Sequence, residues 1–377
     1  AVLQKALPRA FALPDNDRVR VKLELAQAQV ISARGDRPRA KGMVQAVQAR
    51  LLASAGEDDP ATLEATNDLA AVQRNLGELP EARANMEQVV ARRTATLGPD
   101  HEETLSAMGN LAVLRIMNRE KASAISLQRD LTDRYVRKLG SEHPVTLQAR
   151  STLATMMIDG ADAASVAQAL PLLQDVLAAR ERVLGRDHPQ TIRTRLNLAT
   201  AHARQKNYAA ALPLEEQVIT VRSRLQGPSH PDTLSILVNH AGTLLNAKQP
   251  EAALRLLSDV QPLAVKVLGE KHPQAQMTMV IRAEALRVSG RTREALDEYR
   301  RLFELRRKVL GETHVETRTA AWNLIDTSRE LGLTTQADAL ERQYIAPLLA
   351  ADPATLADAD AEFVKRYREG RRPGKQG

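Results

Sequence analysis

The 377 residues carry 53 Lys and Arg against 46 Asp and Glu, for a net charge of +7, with 43% hydrophobic residues, 2% aromatic and no cysteine. The missing cysteine excludes disulfides, thiolate catalysis and cysteine-ligated metals or clusters, and no run approaches the ~20 apolar residues of a membrane-spanning helix. A core this poor in rings must be built from Ala, Leu, Val and Ile, which suits closely packed helices.

Residues 1–13 suggest a short helix or the end of a truncated preceding repeat. Lys5, Arg9 and two prolines interrupt this stretch, which does not resemble a signal peptide, and there is no initiator Met. We therefore expect a piece of a longer protein. A cysteine-free chain suits the cytoplasm, the favoured compartment, and the periplasm as well.

From there a repeat governs the chain. Gly56, Gly98, Gly140, Gly185, Gly227, Gly269 and Gly311 follow one another at spacings of 42, 42, 45, 42, 42 and 42 residues. A fixed period in this range is the signature of a solenoid. Counting back one period reaches Pro14, so eight units begin at 14, 56, 98, 140, 185, 227, 269 and 311, and the array covers 14–352. Each unit reads as two helices. In one first half Leu105, Met108, Leu111, Ala112 and Leu114 recur at helical spacing. Gly77, Asn118, Asn207, Gly290 and Gly332 mark the turn between halves. In the second half one position is Ala in every unit: Ala40, Ala82, Ala124, Ala169, Ala211, Ala253, Ala295 and Ala337. A small residue there lets paired helices cross at close range.

The Gly that opens each block is expected to close the preceding helix, and the proline of His-Pro at 143–144, 188–189, 230–231 and 272–273 fits the first turn of the next. The three-residue excess maps to Gly160–Ala169 and is expected to lengthen a connection. Lys and Arg cluster near second-helix ends, as in Arg92-Arg93, Arg180, Arg182 and Arg306-Arg307-Lys308, where the helix dipole favours cations and solvent would cover them. Residues 353–377 should form a capping helix to about Arg368, followed by a basic, disordered tail.

Candidate chemistry is sparse. His101, His143, His188, His230, His272 and His314 share one register position. Neighbouring units hold such residues on the order of 20 Å apart at helix spacings of 8–10 Å, too far for shared coordination at ~2 Å, so a capping or packing role is expected. His101-Glu102-Glu103 lacks the second histidine of a zinc protease, and His314-Val315-Glu316 lacks the cysteine pair of a zinc deaminase. No phosphate loop, nucleophile elbow or kinase signature is present. Neither an enzyme, a cofactor, a metal nor a small-molecule substrate is expected.

The combination VLG-x-x-HP-x-T, then NLA, then a second helix with Ala-Leu and an Arg-rich end resembles the tetratricopeptide repeats of kinesin light chains and their bacterial relatives, over about 14–352. The units at Leu97–Leu114, Leu184–Leu212, Gln226–Leu254 and Leu310–Leu324 carry it best. The resemblance implies an all-α, right-handed superhelical solenoid of about eight helix-turn-helix units, whose first helices line a concave groove that binds protein or peptide segments. Departures are the missing His-Pro of the first unit, Asp59-Pro60, His314-Val315, and Thr152 and Ile281 in place of Asn.

The implied groove position holds Asp68, Asn110, Asn197, Asn239 and Asn323. An amide both donates and accepts, so a ladder of amides can hold an extended backbone; equally, each can bond a neighbouring helix. Arg193, four residues before Asn197 on the same face, adds a contact suited to an acidic peptide. Trp322 is either a groove anchor or core near the C-terminal cap, and Tyr208 is also of note. The lysine-rich clamp of some grooves is missing. The function expected is a non-catalytic protein-binding scaffold or adaptor. The first alternative is a sensor or regulatory region of a larger signalling protein, such as a bacterial receptor kinase. The second is nucleic-acid binding through the basic surface, against which the scarcity of aromatics argues.

Overall fold

Each block that opens on a register histidine builds the same helix start. The histidine takes an extended conformation, and its Nδ1 accepts the backbone N–H two residues on, at 3.3 Å for His101 and 3.1 Å for His272. All six register histidines do this. In five of the six blocks the third residue after the histidine is a buried threonine, with Ala275 in the sixth. Thr146 Oγ1 donates to the Tyr135 carbonyl at 3.3 Å, whereas Thr104 Oγ1 donates to the Gly98 carbonyl at 2.9 Å and Thr317 Oγ1 to that of Gly311 at 2.7 Å. Those glycines hold φ of 92° and 88°, where a side chain would strain the backbone.

These starts and stops partition the chain into helices. The structure, a computed structural model, describes residues 12–14, 17–159, 162–352 and 355–370, and the expected N-terminal helix over 1–13 and the tail beyond 370 lie almost wholly outside them. Among the described residues there are helices and no strand. The chain divides into two compact units, Ala1–Gly185 and Arg186–Gly377. The first contains α1 (Arg18–Ala33), α2 (Arg37–Ala55), α3 (Pro60–Leu76), α4 (Leu79–Leu97), α5 (Glu102–Met117), α6 (Lys121–Leu139), α7 (Pro144–Ile158) and α8 (Ala163–Leu184). The second contains α9 (Pro189–Arg204), α10 (Tyr208–Gln226), α11 (Pro231–Asn246), α12 (Pro250–Leu268), α13 (Pro273–Val288), α14 (Thr292–Leu310), α15 (Val315–Glu330), α16 (Thr334–Tyr344), α17 (Ala346–Ala350) and α18 (Asp358–Arg368). Within each unit successive helices pack on one another, and first helices also touch directly, α1 on α3 and α11 on α13. This is an all-α tetratricopeptide-type solenoid. No described helix is long and apolar enough to cross a membrane.

The repeated alanine sits at the crossing of each pair, and all eight are 0% exposed. Leucine and valine fill the rest; Leu147, Leu234, Leu257, Leu286 and Leu302 are almost wholly buried. At the C-terminal end one more helix follows the array. Helix α18 starts at Asp358, 43 residues after α15 starts at Val315, so it stands in the register of a ninth first helix. It covers α15 with Phe363 and Val364 and turns Asp358, Glu362 and Lys365 to solvent, which is how an array ends without exposing its core.

Two local expectations change and a third is refined. The extra three residues near 160–169 lengthen α8 to 22 residues, against 19 for α6, because Asp162 accepts from the Ser165 N–H at 2.9 Å and starts the helix early; residues 160 and 161 lie outside the described chain. Asn118 and Asn207 stand at the turn between helices, next to its left-handed position. That position falls on Arg119, Lys206 and Lys248, with φ of 64°, 59° and 60°, while Asn207 caps α10. Finally, Arg93, Arg180 and Arg306 are buried rather than solvated. They run between helices, Arg306 Nε donating to Gln276 Oε1 at 3.1 Å and its Nη1 to the Glu316 carbonyl at 3.2 Å.

Candidate functional site

A 42-residue period places equivalent side chains of successive first helices side by side. Residues at i, i+4, i+7 and i+11 share one helix face, and in the unit Arg186–Gly377 this open face forms four columns. Helix α9 presents Arg193, Asn197, Thr200 and Arg204. Helix α11 presents Ser235, Asn239, Gly242 and Asn246. Helix α13 presents Met277, Ile281, Glu284 and Val288, and α15 presents Thr319, Asn323, Asp326 and Glu330. Arg193, Arg204, Asn239, Asn246, Met277, Val288 and Glu330 are exposed, and only Ile281 and Asn323 are buried.

In the middle columns the face opens into a cavity of about 410 Å³. Gly242 makes the room. It has no side chain in a row otherwise held by Thr200, Glu284 and Asp326, and a Cβ there would stand 3.7 Å from Ile281 Cδ1. Ile281, Val280, Met277, Val238 and Leu245 give the cavity its apolar part, while Asn239, Asn246, Tyr208, Thr200, Arg204 and Glu284 bring polar and charged groups to it. Deeper groups are tied up. The buried Glu215 accepts from Thr243 Oγ1 at 2.8 Å and pairs with His240 Nδ1 at 2.8 Å. Glu284 accepts from Tyr299 Oη at 3.0 Å and Arg287 Nε at 2.9 Å. Apolar surface with convergent polar groups beside it is the usual form of a recognition pocket. Among the described residues no group of three or more His, Asp or Glu could hold a metal ion.

The predicted groove residues divide among three situations. Asn239 is exposed and lines the cavity. Arg193 and Asn197 lie on the same face one column away, exposed and half-buried. In the other unit Asp68 and Asn110 form a ladder between helices: Gln29 Nε2 of α1 donates to Asp68 Oδ2 at 2.9 Å, Asn67 Nδ2 to Asp68 Oδ1 at 3.4 Å, and Asn110 Nδ2 of α5 to Asn67 Oδ1 at 3.4 Å. These amides bond neighbouring helices, the structural alternative. Burial raises the Asp68 carboxyl above its usual range, against the lowering effect of the hydrogen bonds from Gln29 and Asn67. Asp68 also borders a second cavity of about 470 Å³, whose lining mixes Arg18, Lys22 and Arg93 with Glu64 and Glu103.

Trp322 and Asn323 depart from a groove role, at 3% and 7% exposure. The Trp322 ring lies 5.7 Å from Phe363 and 4.8 Å from Tyr367, so α18 covers it and it belongs to the terminal core. Sequence reasoning missed Gly242, Met277 and the Glu215–His240 pair. A glycine inside a helix at a face position was the available signal for the first.

The geometry agrees with what comparison finds. Models of the tetratricopeptide repeat match residues 61–135 and 161–224, and another model of the same repeat matches 278–316. No curated protein matches the sequence. Among solved structures, a Podosopora anserina protein of nearly identical TPR-like repeats, named for the kinesin light chain, is 25% identical with a TM-score of 0.52 over 56% of this chain and 99% of that one. A point variant of that protein is 26% identical, with a TM-score of 0.51 over 55% and 96%. The apo quorum sensor NprR from B. thuringiensis shares the fold at 11% identity, with a TM-score of 0.59 and 86% of each chain covered. The chain carries tetratricopeptide repeats, and these are similar to the repeats of kinesin light chain-like proteins.

Proposed function

We propose that this protein is a non-catalytic scaffold that holds an extended segment of a partner protein on the first-helix face of the unit Arg186–Gly377. The observation that carries the reading is the cavity beside Asn239, about 410 Å³ and open to the face where tetratricopeptide first helices meet their ligands. An apolar lining supplies affinity through burial, and exposed amides at Asn239 and Asn246 supply donors and acceptors for a peptide backbone. The face is preformed by packed helices, which limits the ordering cost of binding.

Nucleic-acid binding is less well supported, because much of the basic surface is already paired. Arg92 bonds Glu57 and Asp58, Arg134 bonds Asp100 and Asp130, and Arg224 bonds Asp187. A sensor or regulatory region of a larger signalling protein would use the same face and passes the same test.

Because the chain has no cysteine, a single engineered thiol can carry a photocrosslinker. Asn239→Cys and Met277→Cys, labelled with benzophenone maleimide, should crosslink a partner polypeptide from source lysate, with competition by excess unlabelled protein. Arg300→Cys, on the exposed second-helix side, should not. Equal crosslinking from all three positions, or none from the first two, would remove this face as the binding site.

A further inference from the structure

Recognition at the cavity on α11 falls to the groups that the protein has not already used. Glu215 is held by Thr243 and His240, and Glu284 by Tyr299 and Arg287. Arg204 is engaged within the protein as well, so the charged groups here do not call for a charged ligand. Asn239 and Asn246 differ. Both are exposed, and among the described residues neither side chain has a partner. They share one face of α11 with Gly242 between them, and they stand seven residues apart. At 1.5 Å per residue that is about 10.5 Å along the helix.

This spacing discriminates between backbones. A ligand helix spends its backbone groups on its own turns and offers the amides nothing. Along a β-strand, groups pointing the same way recur every second residue, so at about 3.3 Å per residue they fall about 7 or 13 Å apart. A polyproline II chain has three residues per turn and a rise of 3.1 Å, so equivalent groups recur on one side about every 9.3 Å, and no internal hydrogen bonds occupy them. Resting on the peptide-binding reading above, we infer that the partner segment is a proline-rich polyproline II chain lying along α11. Asn239 and Asn246 donate to carbonyls three residues apart, and an aliphatic side chain between them fills the gap left by Gly242 against Ile281. The cavity follows α11 from Val238 to Asn246, about 12 Å of helix, which holds about four residues at 3.1 Å each. Proline keeps its carbonyl and lacks only the N–H, so it gives up nothing that two donating amides require. Its backbone is ordered before docking, which lowers the entropy lost on binding. Tyr208 adds an aromatic ring of the kind that lines grooves for such segments.

The probes are uncharged, amidated heptapeptides, each fluorescently labelled at the N-terminus and titrated into the full chain by anisotropy. PPPLPPP should bind about tenfold tighter than the flexible GGGLGGG, because each proline removes freedom from the unbound chain, and also tighter than the strand-forming TVTLTVT. Its affinity should hold as ionic strength rises, since no ion pair is involved. Asn246→Leu should weaken PPPLPPP roughly twofold to tenfold, the worth of one hydrogen bond, while Asn246→Gln keeps the donor and most of the binding. Gly242→Leu should bring PPPLPPP down to the level of PPPGPPP with far-UV circular dichroism unchanged. Binding of GGGLGGG or TVTLTVT as tight as that of PPPLPPP, an equal loss in Asn246→Leu and Asn246→Gln, or no binding of PPPLPPP would overturn the inference. If crosslinking from Asn239→Cys persisted in any of those cases, the peptide-binding reading would survive alone. If no peptide bound and no crosslink formed, both would fall.

Discussion

Removing the Phe363 ring should detach the C-terminal cap and leave the rest of the array folded. Helix α18 has 11 residues, below the ~12–15 at which an isolated helix becomes even marginal in water, so its structure depends on docking. Phe363 is 5% exposed and meets Trp322 edge-on at 5.7 Å. Burying ~150–200 Å² of ring at ~25 cal/mol/Å² contributes about 4–5 kcal/mol, and large-to-small aromatic substitutions in cores cost about 3–5 kcal/mol. What remains for α18 is Val364, Tyr367, the Arg318–Asp360 pair at 2.5 Å and the bond from Arg368 Nη2 to the Leu349 carbonyl at 3.2 Å, so about 4 kcal/mol decides whether it stays down. Trp322 is the single tryptophan and lies beneath α18, so its fluorescence reports on the packing at this end of the array. In Phe363→Ala its emission should shift red in native buffer and its urea transition should separate from the main far-UV dichroism transition, because repeats couple only to neighbours. Blue emission with a single coincident transition would refute the reasoning, since the cap would then be held by something other than this ring.

Three further expectations follow from local geometry. His272→Ala should lose about 1 kcal/mol in urea unfolding by removing the cap on the Gln274 N–H, while His272→Asn should recover most of it; equal loss in both would mean the ring packs rather than caps. Lys206, at φ 59°, occupies the turn position that Gly290 and Gly332 hold in other repeats, so Lys206→Gly should raise the melting midpoint, by up to about 1 kcal/mol of relieved strain. The Tyr367 hydroxyl, then the Arg329 guanidinium, hold the Glu341 carboxyl below the usual carboxylate range. A depressed folded value means stability present above the unfolded range near pH 4.5 and lost as pH falls through the folded one. Trp322 fluorescence should therefore show the C-terminal segment loosening below pH 4.5, and Tyr367→Phe should flatten that dependence.

The architecture was legible because its determinants are local and repeated. A glycine at positive φ, a histidine cap, a proline in the first turn and an alanine at the crossing each declare themselves within one unit, and their recurrence along the chain excludes coincidence. What individual residues do between units was less legible. Asn110 and Asn239 occupy one register position, yet Asn110 bonds Asn67 on the adjacent first helix while Asn239 lines a cavity. The difference lies in the neighbours, an asparagine one column over in the first case and Gly242 with Ile281 in the second. The buried arginines show the same thing, since an Arg near a helix end reads as solvated until the carbonyl it reaches, ten residues on at Glu103 or Glu316, is in view.

The residue that looked least useful is the most informative. Ile281 breaks the amide ladder, one of the departures from Asn at this register position. Placed beside Gly242, 39 residues earlier on the adjacent first helix, it floors the cavity instead. Either substitution alone would do little: a glycine beside an asparagine leaves a shallow polar notch, and an isoleucine beside a threonine is simply covered. The pair removes volume on one helix and supplies apolar surface on the next, which is what an anchor side chain requires. In an array whose units are otherwise held to one pattern for packing, specificity is carried by coupled departures from that pattern in adjacent units. The register that makes the fold repetitive also tells which departures face each other.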